Sequence, residues 1–230
     1  MKKLIPACAL FALLSACSSN NPPKETAKTE ESAPAAAKPV TAPDVFRVNF
    51  VTTKGPFTIE VHRSWAPRGA DRFYELIHEN FYNGSGIYRV LRGFIAQFGI
   101  NKSPSVDARW SNMAIQDDPV TQHNSRGMVS YAAAGPNTRT TEVFINLVNN
   151  SAKLDKMGFA PFGQVVEGMT ATVDKFYSGY GEIAEAGGNG PDPNQMKSQG
   201  NQYLEINFPK IDFIKSAELV QPTGAPAAGK

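Results

Sequence analysis

Residues 88–99 read Tyr88-Arg89-Val90-Leu91-Arg92-Gly93-Phe94-Ile95-Ala96-Gln97-Phe98-Gly99, and residues 130–138 read Ser130-Tyr131-Ala132-Ala133-Ala134-Gly135-Pro136-Asn137-Thr138. Each stretch has the alternation or the small-residue content of a sheet segment. Each also carries polar groups that a plain core strand avoids, because burying such a group without a partner is costly. Arg89 and Gln97 are the examples in the first stretch and Asn137 in the second. This mixture marks a binding groove laid on a sheet.

Upstream, Phe46, Val48 and Phe50 alternate with polar partners, Lys54-Gly55 makes a turn, and Phe57, Ile59 and Val61 alternate again. That pattern predicts a hairpin. Pro67 suits a first helical turn, and Ala70, Phe73, Leu76 and Ile77 recur at three- and four-residue spacing up to Asn83-Gly84, predicting one amphipathic helix. Downstream, apolar runs at 87–91, 94–98, 127–132, 143–148 and 162–166 read as strands, 169–177 as a second helix and 212–220 as a last strand. Many strands with two helices point to a mostly β fold, a closed antiparallel barrel of about eight strands capped by two helices, rather than to βαβ units. The Gly- and Pro-rich segment 179–200 reads as a long surface loop.

With 230 residues, 41% of them apolar and 19% charged, the chain can bury one sizeable core. A formal charge of +2, which loss of Lys2 and Lys3 would reduce to zero, gives no bulk attraction to nucleic acid. Lys2 and Lys3 followed by an apolar run from Leu4 to Leu14 read as a targeting signal too short to span a bilayer as a mature helix. The run ends in Leu14-Ser15-Ala16-Cys17, which resembles a bacterial lipobox whose cysteine is lipidated. Residues 18–43 have no large apolar side chain before Val40 and read as a flexible tether. The expected division is therefore a lipoprotein signal at 1–17, a linker at 18–43, a folded domain at 44–221 and a disordered tail at 222–230. Cys8 and Cys17 both fall in the signal, so the domain has no thiol for a disulfide.

The first quoted stretch is similar to the F-H-R-[IV]-I-P-G-F-[MV]-x-Q-G-G segment of cyclophilins, and the second resembles their S-M-A-N-A-G-P-N-T-N segment. Thr141-Glu142-Val143-Phe144-Ile145 resembles the family's S-Q-F-F-I strand. Leu154-Asp155, followed by Phe162-Gly163-Gln164-Val165-Val166-Glu167-Gly168-Met169, is similar to its L-D and F-G-x-V-x-x-G-M run. The order of the four segments, covering most of Phe46 to Leu219, makes the resemblance specific. It implies a cyclophilin-like barrel and peptidyl-prolyl cis-trans isomerase activity on proline-containing polypeptide clients, without cofactor or metal.

Such chemistry needs little machinery. Rotating an X–Pro amide costs on the order of 20 kcal/mol in lost resonance, and no bond is broken. The requirements are a pocket for the proline ring, contacts that fix the client backbone, and a donor aimed at the prolyl nitrogen as its lone pair localises. The resemblance assigns the donor to Arg89 and its support to Gln97. It places Phe94, Ile95, Phe144 and Leu154 in the proline pocket, with Ala132 and Phe159 beside it, and the backbone of Ala133 pairing with the client like an added strand. Taken alone, each apolar residue reads as core.

Three departures from the family pattern stand out. Glu142 replaces a glutamine, and its carboxylate is placed to pair with Arg89, orienting it or weakening it. Val143 replaces a phenylalanine, a core change. Lys153 stands where drug-sensitive relatives carry a tryptophan that donates to cyclosporin, implying weak binding of that inhibitor.

Other sites are disfavoured. His62, His78 and His123 lie on separate elements without ligand spacing, and Gly187-Gly188-Asn189-Gly190 does not lead from a strand into a helix. The expectation is a monomeric, lipid-anchored isomerase of the bacterial cell envelope that does not bind nucleic acid. Ser18 after the cysteine favours the periplasmic face of the outer membrane over the inner membrane. The alternative is a chaperone or peptide-binding module of the same fold with little isomerase activity.

Overall fold

The computed structural model describes residues 40–220. The segments at 1–17, 18–39 and 221–230, including Cys17, lie outside the described residues. The elements in chain order begin with β1 (Val45–Thr52), β2 (Gly55–His62), α1 (Pro67–His78), β3 (Gly86–Ile87), β4 (Arg89–Val90) and β5 (Ile95–Phe98). They continue with α2 (Pro104–Ser111), β6 (Met128–Tyr131), β7 (Val143–Asn146), α3 (Ser151–Leu154) and β8 (Pro161–Glu167). The last are α4 (Pro193–Gln199), α5 (Asn201–Asn207) and β9 (Asp212–Leu219).

All nine strands join one sheet in the order β3-β9-β1-β2-β8-β6-β7-β5-β4, with every pairing antiparallel. The two ends of this order, β3 and β4, are separated in the chain by Tyr88 alone. The segment from Gly86 to Val90 thus pairs with β9 on one side and with β5 on the other, and it draws the sheet into a nearly closed barrel. That removes most of the open edge a nine-stranded sheet would otherwise present.

The hairpin of β1 and β2 pairs in full, Val45 with His62 through Thr52 with Gly55. Its alternate residues Val48, Phe50, Phe57, Ile59 and Val61 are buried. Phe50 stacks on Phe57 at 4.8 Å and lies within 5.7 Å of Phe98, the last residue of β5. Helix α1 lays Ala70, Phe73, Leu76 and Ile77 on this core, as its periodicity predicts.

Other expectations change. The region 169–177 is not a helix but a series of turns ending in a 3-10 turn at Val173–Lys175. Thr172 donates its hydroxyl to the Pro56 carbonyl at 2.7 Å, and Val173 and Phe176 are driven into the core, so tertiary contacts override helical periodicity there. The segment 179–200 is not all loop, since it holds a 3-10 turn at Ala184–Ala186 and α4. Ala42, within the expected tether, is buried and donates its N–H to the Asp71 carboxylate at 2.9 Å, so the packed chain reaches upstream of Asp44.

Candidate functional site

Strand register assembles the site. Arg89 on β4 lies opposite Gln97 on β5, which lies opposite Phe144 on β7, so the three form a cross-strand row on one face of the sheet. Ile95, two residues before Gln97, shares that face. Gly99 follows β5 at φ +117°, where a Cβ would stand 2.5 Å from the Thr141 carbonyl oxygen. Only glycine allows β5 to approach the segment carrying Glu142 so closely.

A cleft of about 470 Å³ opens over this row. Arg89, Phe94, Ile95, Gln97, Ala132, Ala133, Glu142, Phe144, Leu154 and Phe159 all line it, so every groove residue nominated from the sequence borders one space. Ile95, Phe144 and Leu154 form its buried apolar floor, with Phe94, Ala132 and Phe159 packed against them. Phe144 and Phe159 meet edge to face at 5.6 Å. Polar side chains also line the cleft, among them Asp107, Thr138, Thr140, Glu185 and Lys197.

The apolar walls are held from behind by buried and half-buried amides. Asn124 donates to the Phe159 carbonyl at 2.8 Å and to Asp155 at 2.8 Å, and Asn150 donates to the Phe94 carbonyl at 3.0 Å and to Asn146 at 2.8 Å. Ser130 and Asn146 both donate to the Asn124 side-chain oxygen, so the network is satisfied throughout.

Arg89 is fixed on two sides. Its Nη1 donates to Gln97 Oε1 at 3.0 Å, while Nε and Nη2 donate to the two carboxylate oxygens of Glu182 at 2.6 and 2.7 Å. Its guanidinium carbon also lies 5.9 Å from the centre of the Phe94 ring. Burial alone would raise the Glu182 carboxyl, but the hydrogen bonds from Arg89 and from the Ile183 N–H outweigh it and hold its pKa below the ordinary value. Glu182 and Tyr88 were not singled out in the sequence. Tyr88 stood in the opening stretch, whereas no local pattern marks Glu182, ninety-three positions from Arg89.

The expected pairing of Glu142 with Arg89 does not form. Glu142 instead accepts hydrogen bonds from the Tyr88 hydroxyl and from Gln97 Nε2 at 3.1 Å, and its other oxygen pairs with Lys197 Nζ at 3.0 Å. Lys197, on the α4 helix that sequence periodicity missed, takes the charge that Arg89 was expected to take. Burial disfavours the Lys197 ammonium, yet Glu142, Asp107 and Glu185 outweigh it and hold its pKa above the ordinary lysine value. Burial, reinforced by the Glu142 charge, pushes the Tyr88 phenol well above its usual value, so Tyr88 stays neutral and donates to Glu142 while accepting from Gln97 at 2.6 Å. Gln97 is thereby oriented with its oxygen toward Arg89. Val143 is fully buried, and the Lys153 ammonium lies 5.6 Å from the Phe94 ring centre at the rim. Among the described residues no cluster of three or more His, Cys, Asp or Glu side chains is placed to hold a metal ion.

A model of the cyclophilin type peptidyl-prolyl cis-trans isomerase family matches residues 47–197. Curated relatives include the human peptidyl-prolyl cis-trans isomerase-like 3, 33% identical over 128 residues that span 53% of this chain and 76% of that protein. A peptidyl-prolyl cis-trans isomerase of Acinetobacter baylyi is 30% identical over 132 residues, 56% of this chain and 70% of that one. An Arabidopsis thaliana isomerase is 32% identical over 126 residues, but the match spans only 21% of its length. Among solved structures, a cyclophilin type isomerase of Cryptosporidium parvum superposes with a TM-score of 0.56 at 18% identity, covering 77% of this chain and 99% of that one. The same protein in the presence of the dipeptide Ala-Pro gives a TM-score of 0.55 at 19% identity, covering 76% of this chain and 99% of that one.

Proposed function

Since the chain belongs to the cyclophilin-type peptidyl-prolyl cis-trans isomerase family, we propose that it accelerates rotation about X–Pro bonds in unfolded or flexible client chains of the cell envelope, with Arg89 as donor to the prolyl nitrogen. The observation that carries this reading is the fixed guanidinium of Arg89, on the cross-strand row with Gln97 and Phe144, beside the apolar floor of Ile95, Phe144 and Leu154. The proline ring enters that floor between Phe94 and Phe159, and the backbone of Ala132 and Ala133 guides the client along the β6 end.

The energetics favour a donor over a nucleophile. As the amide twists, the nitrogen lone pair localises and becomes an acceptor, which it is not in the planar ground state. A charge-assisted hydrogen bond to it is worth about 1.5–3 kcal/mol, or about one to two decades in rate. Because it forms mainly in the twisted state, it raises kcat more than it tightens binding. Arg89→Ala in the purified chain is expected to lower the cis-to-trans rate of a short X–Pro reporter at least about tenfold. Equal rates in wild type and variant would sink the assignment.

A second reading rests on the same pair. Glu182 already neutralises Arg89, which favours a client-binding module with little isomerase activity. That module would keep protecting unfolded clients from aggregation after Arg89→Ala.

The basic start, the apolar run to Leu14 and the sequence Leu14-Ser15-Ala16-Cys17 support a mature protein lipidated at Cys17, and Ser18 after it supports the periplasmic face of the outer membrane. Metabolic labelling with a fatty acid is expected to mark the full chain and to disappear in Cys17→Ser. Persistent labelling of that variant rules the anchor out.

A further inference from the structure

We infer that Glu182 is a positioning residue for the isomerase reaction, locking the Arg89 guanidinium in the one orientation that leaves its free N–H groups for the client amide. This rests on the functional reading above. A guanidinium has five N–H donors in one plane. Glu182 takes one on Nε and one on Nη2, and Gln97 takes one on Nη1, which leaves one on each terminal nitrogen. Gln97 alone is a single-point attachment about which the plane swings. The two-point carboxylate contact fixes both position and plane, in the geometry arginine is suited to.

The segment carrying Glu182 is built to hold still. Ser178 accepts from Arg92 Nε at 2.9 Å, Tyr180 packs edge to face on Tyr177 and Phe208, and Ile183 packs beside the buried cluster of Tyr88, Ile100 and Met196. The Glu182 carbonyl accepts from the Gly190 N–H at 2.8 Å, and Ile183 bridges to Gly190. The returning chain passes so close that a Cβ on Gly188 would stand 2.0 Å from the Glu182 backbone carbonyl oxygen, and one on Gly190 2.7 Å. Glu182 Oε1 also accepts from its neighbour's N–H at 2.8 Å, so the carboxylate is aimed before it meets Arg89. A donor held in place beforehand needs no reorganisation as the amide twists, and that saving appears in kcat.

The test measures kcat and KM separately, by exchange NMR on an X–Pro peptide, for the full chain and its Glu182→Ala, Glu182→Gln, Arg89→Ala and doubly substituted Arg89→Ala/Glu182→Ala forms, with near-ultraviolet circular dichroism confirming each fold. Glu182→Ala is expected to lower kcat about tenfold with KM within about twofold, and Glu182→Gln, which keeps one acceptor for Nε, to lose less. The double variant is expected to match Arg89→Ala, since Glu182 acts only through Arg89. Rates equal to or above wild type in both Glu182 variants overturn the inference, as does a double variant that falls by the same further factor as Glu182→Ala alone. If Glu182→Ala does not fold, the near-isosteric Glu182→Gln decides by the same comparison. An inactive wild type overturns the functional reading itself and this inference with it.

Discussion

The family resemblance implies that Lys153 stands at a position where one side chain decides inhibitor affinity. Its ammonium lies 5.6 Å from the Phe94 ring centre, and where an indole N–H would donate to a neutral cyclic ligand, the ammonium must instead be desolvated. Cyclosporin is therefore expected to bind weakly, and Lys153→Trp to tighten it at least about tenfold by calorimetry. Submicromolar binding to the wild type would refute this. Much of the groove was legible residue by residue because its members sit in short ordered segments, each with recognisable neighbours. Glu142 shows the limit of that legibility. Its identity was plain, but its partner depended on where α4 would carry Lys197, and no spacing in the sequence reports a meeting between positions so far apart.

Among elements, those with long periodic patterns were the easiest to read. The first hairpin and α1 expose one face and bury the other over eight to twelve residues, so their patterns are unambiguous. Helices α2, α4 and α5 run only seven or eight residues, too short for periodicity to separate them from loop. Start signals were nonetheless present for α2 and α4. Ser103-Pro104 and Asp192-Pro193 each place a capping residue before a proline in the first turn. In α4 the Asp192 carboxylate accepts from the Asn194 N–H at 2.8 Å. Asp192→Ala is expected to cost about 1 kcal/mol in urea unfolding, felt at Lys197 and hence at Glu142. No change in the unfolding midpoint would show that α4 is held by Met196 packing alone.

The molecule as a whole is closed by very little. Five residues from Gly86 to Val90 join the two ends of the strand order, and Gly86 passes Leu204 so closely that a Cβ would stand 2.6 Å from a leucine methyl. Gly86→Val is expected to destabilise by about 1–3 kcal/mol and, unlike a substitution at a distant strand, to lower isomerase activity at temperatures where the protein remains folded. Loss of stability with unchanged activity would show that the two ends work independently. The sequence displayed this segment as a single strand at 87–91, and its division between two partners is a property of the ring that no local pattern encodes. Because Arg89 lies on the seam itself, closure of the barrel and the aim of the proposed donor depend on the same five residues. If Arg89 is the donor, a chain whose barrel begins to gape loses its aim at proline, and damaged copies are expected to fall silent instead of turning over clients with altered selectivity.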